Sequence, residues 1–432
     1  MRHPHGLRAA AGNAGEADPE IGAAYEGGFY AGKIRYQGIL YYLIVAPAAT
    51  GATGTGYTLT TNKQWKTTNT TTTGTLSGAN GASNTAAMVT AGIGGHPAAN
   101  FCTDLSIGGY TDWYLPARYE LDIAYENLKP TTDLNNTAWG INPYSVPERT
   151  VNRTAGAPAQ TSVAAFQSGG AEAFVTYYHW SSTEDSATNA WILGFDVASQ
   201  GATTKNNGSF RVRAFRREVS PLQVDEFNPL GLIPGDALEG GFFAGYISHT
   251  DDGVPTHALI VAPAATGASG AGYTITTILA WKTTNTTTAG TTSPFDGAAN
   301  SANMNNASHP AAQFCEGLSI GGYTDWYLPA RYELDIAYEN LKPTTASNTT
   351  SYGINPYSVP ERTVNRTSGD PSKTSIAAFQ SGGAEAFVAA SHWASTEGSA
   401  TNAWYLSFLN GTEATTAKTD GVRVRAFRKL AL

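Results

Sequence analysis

Charge is what this sequence most lacks. Asp, Glu, Lys and Arg make up 14% of its 432 residues, against about a quarter in an ordinary globular protein. Acidic groups outnumber basic ones, 34 to 26, for a formal net charge of −8. Binding to nucleic acid through its phosphates needs a basic footprint, so no nucleic-acid partner is expected. The densest basic run, Arg211, Arg213, Arg216 and Arg217, alternates with Val212, Ala214 and Phe215. It reads as a strand whose arginines pair with carboxylates.

Cysteine is scarce too. Cys102 and Cys315 fall at matching places, in HPAANFC and HPAAQFC, on the helical stripe of Phe101 and Phe314. Each reads as a buried free thiol, and no disulfide between them is expected. No His/Cys spacing suits a metal, and neither metal nor cofactor is expected. Long apolar runs are missing as well. Residues 39–49 are the most apolar stretch and too short for a bilayer span, and residues 1–20 lack the apolar core of a secretory signal.

Hydroxyl, amide and glycine residues fill the place of charge, Gly alone numbering 47. Such a composition suits a β-rich, loop-rich protein with an uncharged exterior, and 41% hydrophobic residues suffice for a packed core. The length allows two to four domains. Self-comparison narrows that to two. Residues 106–132, SIGGYTDWYLPARYELDIAYENLKPTT, recur unchanged at 319–345, and INPYSVPERTVNRT stands at 141–154 and 354–367. GGFYAG, LIVAPAATGA, FQSGGAEAF and VRAFR find partners in the same order at an offset of 212 to 216 residues. The expected organisation is an N-terminal arm over 1–26, disordered by composition, then a domain over 27–217. A linker with three prolines covers 218–239, and a second domain covers 240–432.

Within each copy the pattern predicts an α+β domain. Residues 39–45 read as a buried strand, and 50–90 as loops with short strands. A helix opens at His96-Pro97. A second opens at Pro116, with Leu121, Ala124, Tyr125 and Leu128 inward, and Pro130 stops it. Residues 131–162 read as a long loop, and 171–180, 190–197 and 210–216 as three closing strands.

The words GYTDWYLPARYEL, HWSSTE…NAW and VRAFR, in that order, resemble the Lcl C-terminal domain family, found in bacterial surface and phage proteins and named for a Legionella collagen-like adhesin. Tyr114 and Tyr327 stand where that family usually has Arg, Ala117 and Ala330 where it has Thr, and His179 and His392 where it has Tyr. The resemblance implies two tandem C-type lectin-like domains, each with two helices on a small, mostly antiparallel sheet with long loops. It implies a binding role without fixing a ligand.

Trp113, Trp180 and Trp191, with Trp326, Trp393 and Trp404, read as core, with stacking on sugar rings as the other use of such side chains. Asp112 and Glu120 could be taken for a carboxylate pair, but Glu120 falls in a first helical turn where a negative charge is favoured anyway. Calcium through Asp112, Glu184 or Asn189 has precedent among lectin-like domains, yet no dense Asp/Asn loop is present. The copies differ at 176–178, 192–210, 133–139 and 33–42, and on a lectin-like scaffold the late strands and their loops form the usual ligand face. Tyr177, Tyr178, Asp196, Gln200, Lys205 and Asn206 are therefore the candidate contact set, with drift on an idle surface as the alternative. No catalytic residue is assigned.

The expected function is a non-enzymatic phage virion protein, decorating the capsid or forming part of a tail or fibre. It would sit on the virion surface as a homo-oligomer, held to other virion proteins through the arm. A bacterial surface adhesin binding cell-surface glycans is the alternative. A formylglycine-generating enzyme is the third reading, and its reactive cysteines are poorly matched by one apolar-face Cys per domain.

Overall fold

The computed structural model describes residues 18–48, 56–58, 62–222, 227–250, 253–264, 272–274 and 278–432. Most of the expected arm, residues 1–17, lies outside them. From Asp18 onward the chain is tied down: its carboxylate accepts from Lys33 Nζ at 2.6 Å and Tyr42 OH at 2.9 Å.

In the first half, β1 (Ala24–Tyr25), β2 (Gly28–Tyr36), β3 (Ile39–Val45) and β7 (Phe215–Val219) form one antiparallel sheet in the order β1-β2-β3-β7. A second antiparallel sheet holds β4 (Tyr178–Glu184), β5 (Asn189–Gly194) and β6 (Gln200–Thr204). Helices α1 (Gly81–Thr90), α2 (Pro97–Thr103) and α3 (Arg118–Leu128) lie between these segments in sequence.

All of β3 is buried because it is a wall between two cores. Strand side chains alternate faces. Tyr41, Leu43 and Val45 join α3, Phe166, Phe174 and Phe195 in one cluster, whereas Ile44 and Ala46 join α2, Trp65, Trp113 and Trp180 in another.

The second half repeats this plan. Strands β8 (Ala237–Leu238), β9 (Gly241–Ile247), β10 (His257–Val261) and β16 (Phe427–Ala431) make the first sheet. Strands β12 (Ser391–Glu397), β13 (Asn402–Ser407) and β14 (Glu413–Ala417) make the second, and a short pair joins β11 (Leu279–Ala280) to β15 (Gly421–Val422). Helices α4 (Gly297–Ala302), α5 (Pro310–Glu316) and α6 (Arg331–Leu341) follow the same order, and β10 again divides two cores.

The α+β class stands, but several details differ from expectation, among them strands β2 and β6, which fall where no strand was read. Among the described residues each half has three helices, not two. The added one, α1 or α4, falls in or beside the stretch read as loop. Gly-Ala-Ser-Asn-Thr has weak helix propensity and no broad apolar stripe. The helix is set instead by its N-cap, Asn80 Oδ1 accepting from Ser83 N–H at 3.0 Å, and by Asn84 Nδ2 donating to Ser182 Oγ at 3.1 Å. The strand expected over 171–180 starts only at Tyr178. Residues 210–214 make isolated bridges, and the regular strand begins at Phe215.

Glu120 organises the start of α3. Its carboxylate accepts from Ala117 N–H (2.7 Å), Gly81 N–H (3.2 Å) and Tyr114 OH (3.0 Å). Ala117 has no hydroxyl to cap the helix, and Thr183 Oγ1 on β4 accepts the Arg118 N–H instead at 3.0 Å. A Cβ at position 81 would lie 2.5 Å from Glu120 Oε2, which is why glycine begins α1. Glu333 repeats the arrangement with Ala330, Tyr327 and Gly297.

The halves are joined by a loop of the second seated on the first. Asp370, buried, accepts from Ser77 Oγ (2.5 Å), Gly78 N–H (2.9 Å) and Tyr36 OH (3.3 Å). Gln37 Nε2 donates to Ser372 O at 2.8 Å. The matching positions of the first half are Ala157 and Ala159. The described part of the linker touches both halves: Glu218 and Val219 continue β7 of the first and Ile233 packs on its core, while Tyr246 OH of the second donates to Asn228 Oδ1 at 2.8 Å.

Two outcomes are expected in urea unfolding. Glu120→Ala strands three buried donors and costs about 2–4 kcal/mol. Asp370→Ala costs about 2–3 kcal/mol and splits one transition into two as the halves uncouple, whereas Ala157→Asp leaves the single transition intact.

Candidate functional site

The groups best suited to chemistry are taken up inside the fold. His179 is fully buried among Tyr57, Phe174 and Phe195. Its Nδ1 faces the Tyr177 carbonyl at 2.9 Å and so must carry the proton, which leaves Nε2 to accept from Tyr57 OH at 2.6 Å. Burial lowers its pKa to about 3. His392 repeats this with Ala390 and Tyr273, also at about 3. Cys102 and Cys315 are buried free thiols, and burial pushes both well above the usual thiol range. Asp112 and Glu120 do not form a pair. Asp112 is largely exposed and holds Arg216 at 2.9 Å, while Glu120 is sealed inside and burial raises it to about 7.

The basic run behaves as expected at two places. Arg213 is buried against Glu172 at 3.0 Å, and Arg216 is bracketed by Asp112 and Glu218. Arg217 stacks on Tyr41, its guanidinium carbon 4.3 Å from the ring.

The six candidate contact residues do not form one cluster. Tyr177 is exposed and packs with half-buried Tyr178 and with Phe210. Asp196 is half-buried, turned to its own Val197 N–H. Lys205 is fully buried, its ammonium 2.9 Å from Glu184. Asn206 is exposed at the far end of β6, where its carbonyl accepts from Gln64. Gln200 alone lies against an aromatic and cationic surface.

Of the tryptophans, Trp113, Trp180, Trp326 and Trp393 are buried. Trp191 and Trp404 are only half-buried. Trp191 holds the outward position on β5, between buried Ala190 and Ile192, and Trp404 stands next to buried Ala403 on β13 with part of its ring against the second-half core. Trp191 faces small Ala202 across the ladder, which leaves its ring open to cover from elsewhere. Arg118, from the first turn of α3, lies over it with the guanidinium carbon 3.9 Å from the ring centre. Trp139, from the long loop, meets Trp191 edge to face at 6.1 Å, and Tyr119 stands 5.3 Å from the same guanidinium. Arg118 Nε donates to Gln200 Oε1 at 2.7 Å, and Gln200 Nε2 to Asp122 Oδ1 at 3.0 Å. The long loop therefore supplies a functional-looking side chain, Trp139, that sequence reasoning passed over. The one signal available was its change to Tyr352 in the second copy.

Residues 274–428 match the Lcl C-terminal domain. The matched span includes 319–345, the block that the first half carries unchanged at 106–132. No curated protein matches the chain. Among the described residues, no helix is long and apolar enough to cross a membrane.

The buried histidines set a pH dependence. The unfolded chain binds more protons than the folded one between the folded value of about 3 and the ordinary 6.5. Their contribution is complete above about 6.5 and is lost as pH falls toward 3, by at most about 1.4 kcal/mol per histidine per pH unit. Glu120 and Glu333, raised to about 7, act in the opposite sense between 4.5 and 7, so the informative quantity is a difference. Between pH 7 and 4.5 the double variant His179→Gln, His392→Gln loses less stability than the parent in denaturant titrations.

Proposed function

We propose that this chain is a non-enzymatic structural and binding protein of a phage virion, with two tandem C-type lectin-like domains displayed for surface or host recognition. The observation that carries the binding role is the half-open platform of Arg118, Trp191 and Trp139. Indole and guanidinium faces at a surface suit the apolar face of a sugar ring, with polar edges such as Gln200 beside them to orient it. The non-enzymatic part rests on the buried state of His179, His392, Cys102 and Cys315. A formylglycine-type reaction needs an accessible thiolate, which the two raised, enclosed thiols do not offer.

The virion setting, the homo-oligomer and attachment through residues 1–26 rest on the Lcl resemblance and on the composition of the chain. A bacterial adhesin that binds glycans would use the same platform and differs in what displays it. Immuno-electron microscopy of intact particles separates the two: antibody label on the capsid, tail or fibre is the expected result, and unlabelled particles overturn the virion assignment. A glycan array with the full chain tests recognition itself. Binding that falls at least about tenfold in Trp191→Ala is expected, and an array without any signal removes the binding role.

A further inference from the structure

The platforms of the two halves are built on the same frame but differ in charge. In the second half Arg331 lies over Trp404 at 4.0 Å and its Nε donates to Glu413 at 2.6 Å. Arg366 is 3.5 Å from the other oxygen of the same carboxylate. Around it three guanidiniums, Arg331, Arg362 and Arg366, meet three carboxylates, Asp335, Glu339 and Glu413.

In the first half the residue paired with Glu413 is Gln200. Arg149 and Arg153 there meet Asp122 and Glu126, and among the described residues Arg118 is in direct contact with neither carboxylate. Asp122 is saturated: Arg149, Arg153, Gln200 and Asn142 all donate to it. Arg118 is left with a neutral partner at Nε. Among the described residues its two terminal amino groups have no hydrogen-bond partner, and they are not among the buried unpaired atoms. Asp185, an exposed residue beyond β4 that is Gly398 in the second half, acts on Arg118 only at longer range. The aromatic wall differs too. Trp139 stands against Trp191, whereas Tyr352 at the matching position joins no ring among the described residues.

We propose that the first-half platform binds a ring-bearing carboxylate, of the chemical class of uronic and sialic acids, and that the second-half platform does not. Arg118 presents its terminal amino groups to the carboxylate, a charge-assisted pairing. The ring packs on the indoles of Trp139 and Trp191, and Gln200 holds the guanidinium by Nε without neutralising it. This inference rests on the binding role proposed above and narrows its ligand.

The experiment uses the full chain and two probes, glucuronic acid and glucose, with tryptophan fluorescence as the readout. Glucuronate is expected to bind at least about tenfold more tightly than glucose, and the preference to weaken with added salt. Gln200→Glu installs the pairing of the second half, where the fold already accepts it, and should lower glucuronate affinity about tenfold or more. The transplant Glu413→Gln, Tyr352→Trp should add a second glucuronate site. Equal binding of the two probes overturns the anionic ligand while leaving ring recognition in place. Glucuronate binding unchanged in Gln200→Glu overturns the assignment to Arg118. Failure of both probes, together with a silent glycan array, overturns the binding role and this inference with it.

Discussion

The constraint on which each half depends is a carboxylate that cannot reach water. Glu120 is enclosed where α1, α3 and the segment carrying Tyr114 converge, and it accepts hydrogen bonds from a donor at each of those three places. Removing a carboxylate from water is costly unless donors surround it. The segments are therefore fixed relative to one another by the need to satisfy one side chain. Gly81 follows from that demand, because its missing Cβ is the space the carboxylate fills. The tyrosine at position 114 supplies one of the donors from outside both helices. Arg217 in the first half and Lys429 in the second add a nearby positive charge.

The same logic explains how so few charges hold so large a fold. Many of them are inside and matched: Arg213 with Glu172, Lys205 with Glu184, and Arg425 with Glu385 and Lys418 with Glu397 in the second half. A buried pair adds little net stability over an apolar one of the same size, but losing one partner is expensive. Such pairs specify which loop meets which strand more than they deepen the energy minimum. Thr, Asn, Ser and Gly then cover the outside, which is why the composition looks polar and the charge count low.

Periodicity made much of the framework legible. The central strand over 39–45, the helix at His96-Pro97 and the inward face of Leu121, Ala124, Tyr125 and Leu128 are all where the pattern put them. Helix α1 was hidden because its stability comes from an Asn cap and a cross-element bond to Ser182, which leave no periodic trace. Lys205 looked like a surface residue because lysine usually is one, and its burial is made possible by Glu184, twenty-one residues upstream, together with the carbonyls of Thr70 and Ala187. Trp191 read as core because it lies in a repeated motif, yet strand alternation places it between two buried neighbours and facing out. The platform draws on α3, β5, β6 and a long loop, so no local pattern could announce it.

The two halves diverge where a single contact changes meaning. Position 157 is Ala in the first half and the equivalent 370 is Asp, and only the latter has a neighbour with donors to receive it. Position 200 is Gln and its equivalent 413 is Glu, and the difference decides whether a stacked guanidinium is neutralised from within. Neither change disturbs the frame, because Glu120 and Glu333 and the two-core walls β3 and β10 sit in segments that the halves share closely. A repeat built this way can alter one joint and one surface independently. The second half carries the joint and a platform whose arginine is paired with a carboxylate, and the first holds a half-buried arginine whose Nε meets only a neutral amide. Identical scaffolds thus give unequal surfaces through substitutions that cost the cores nothing.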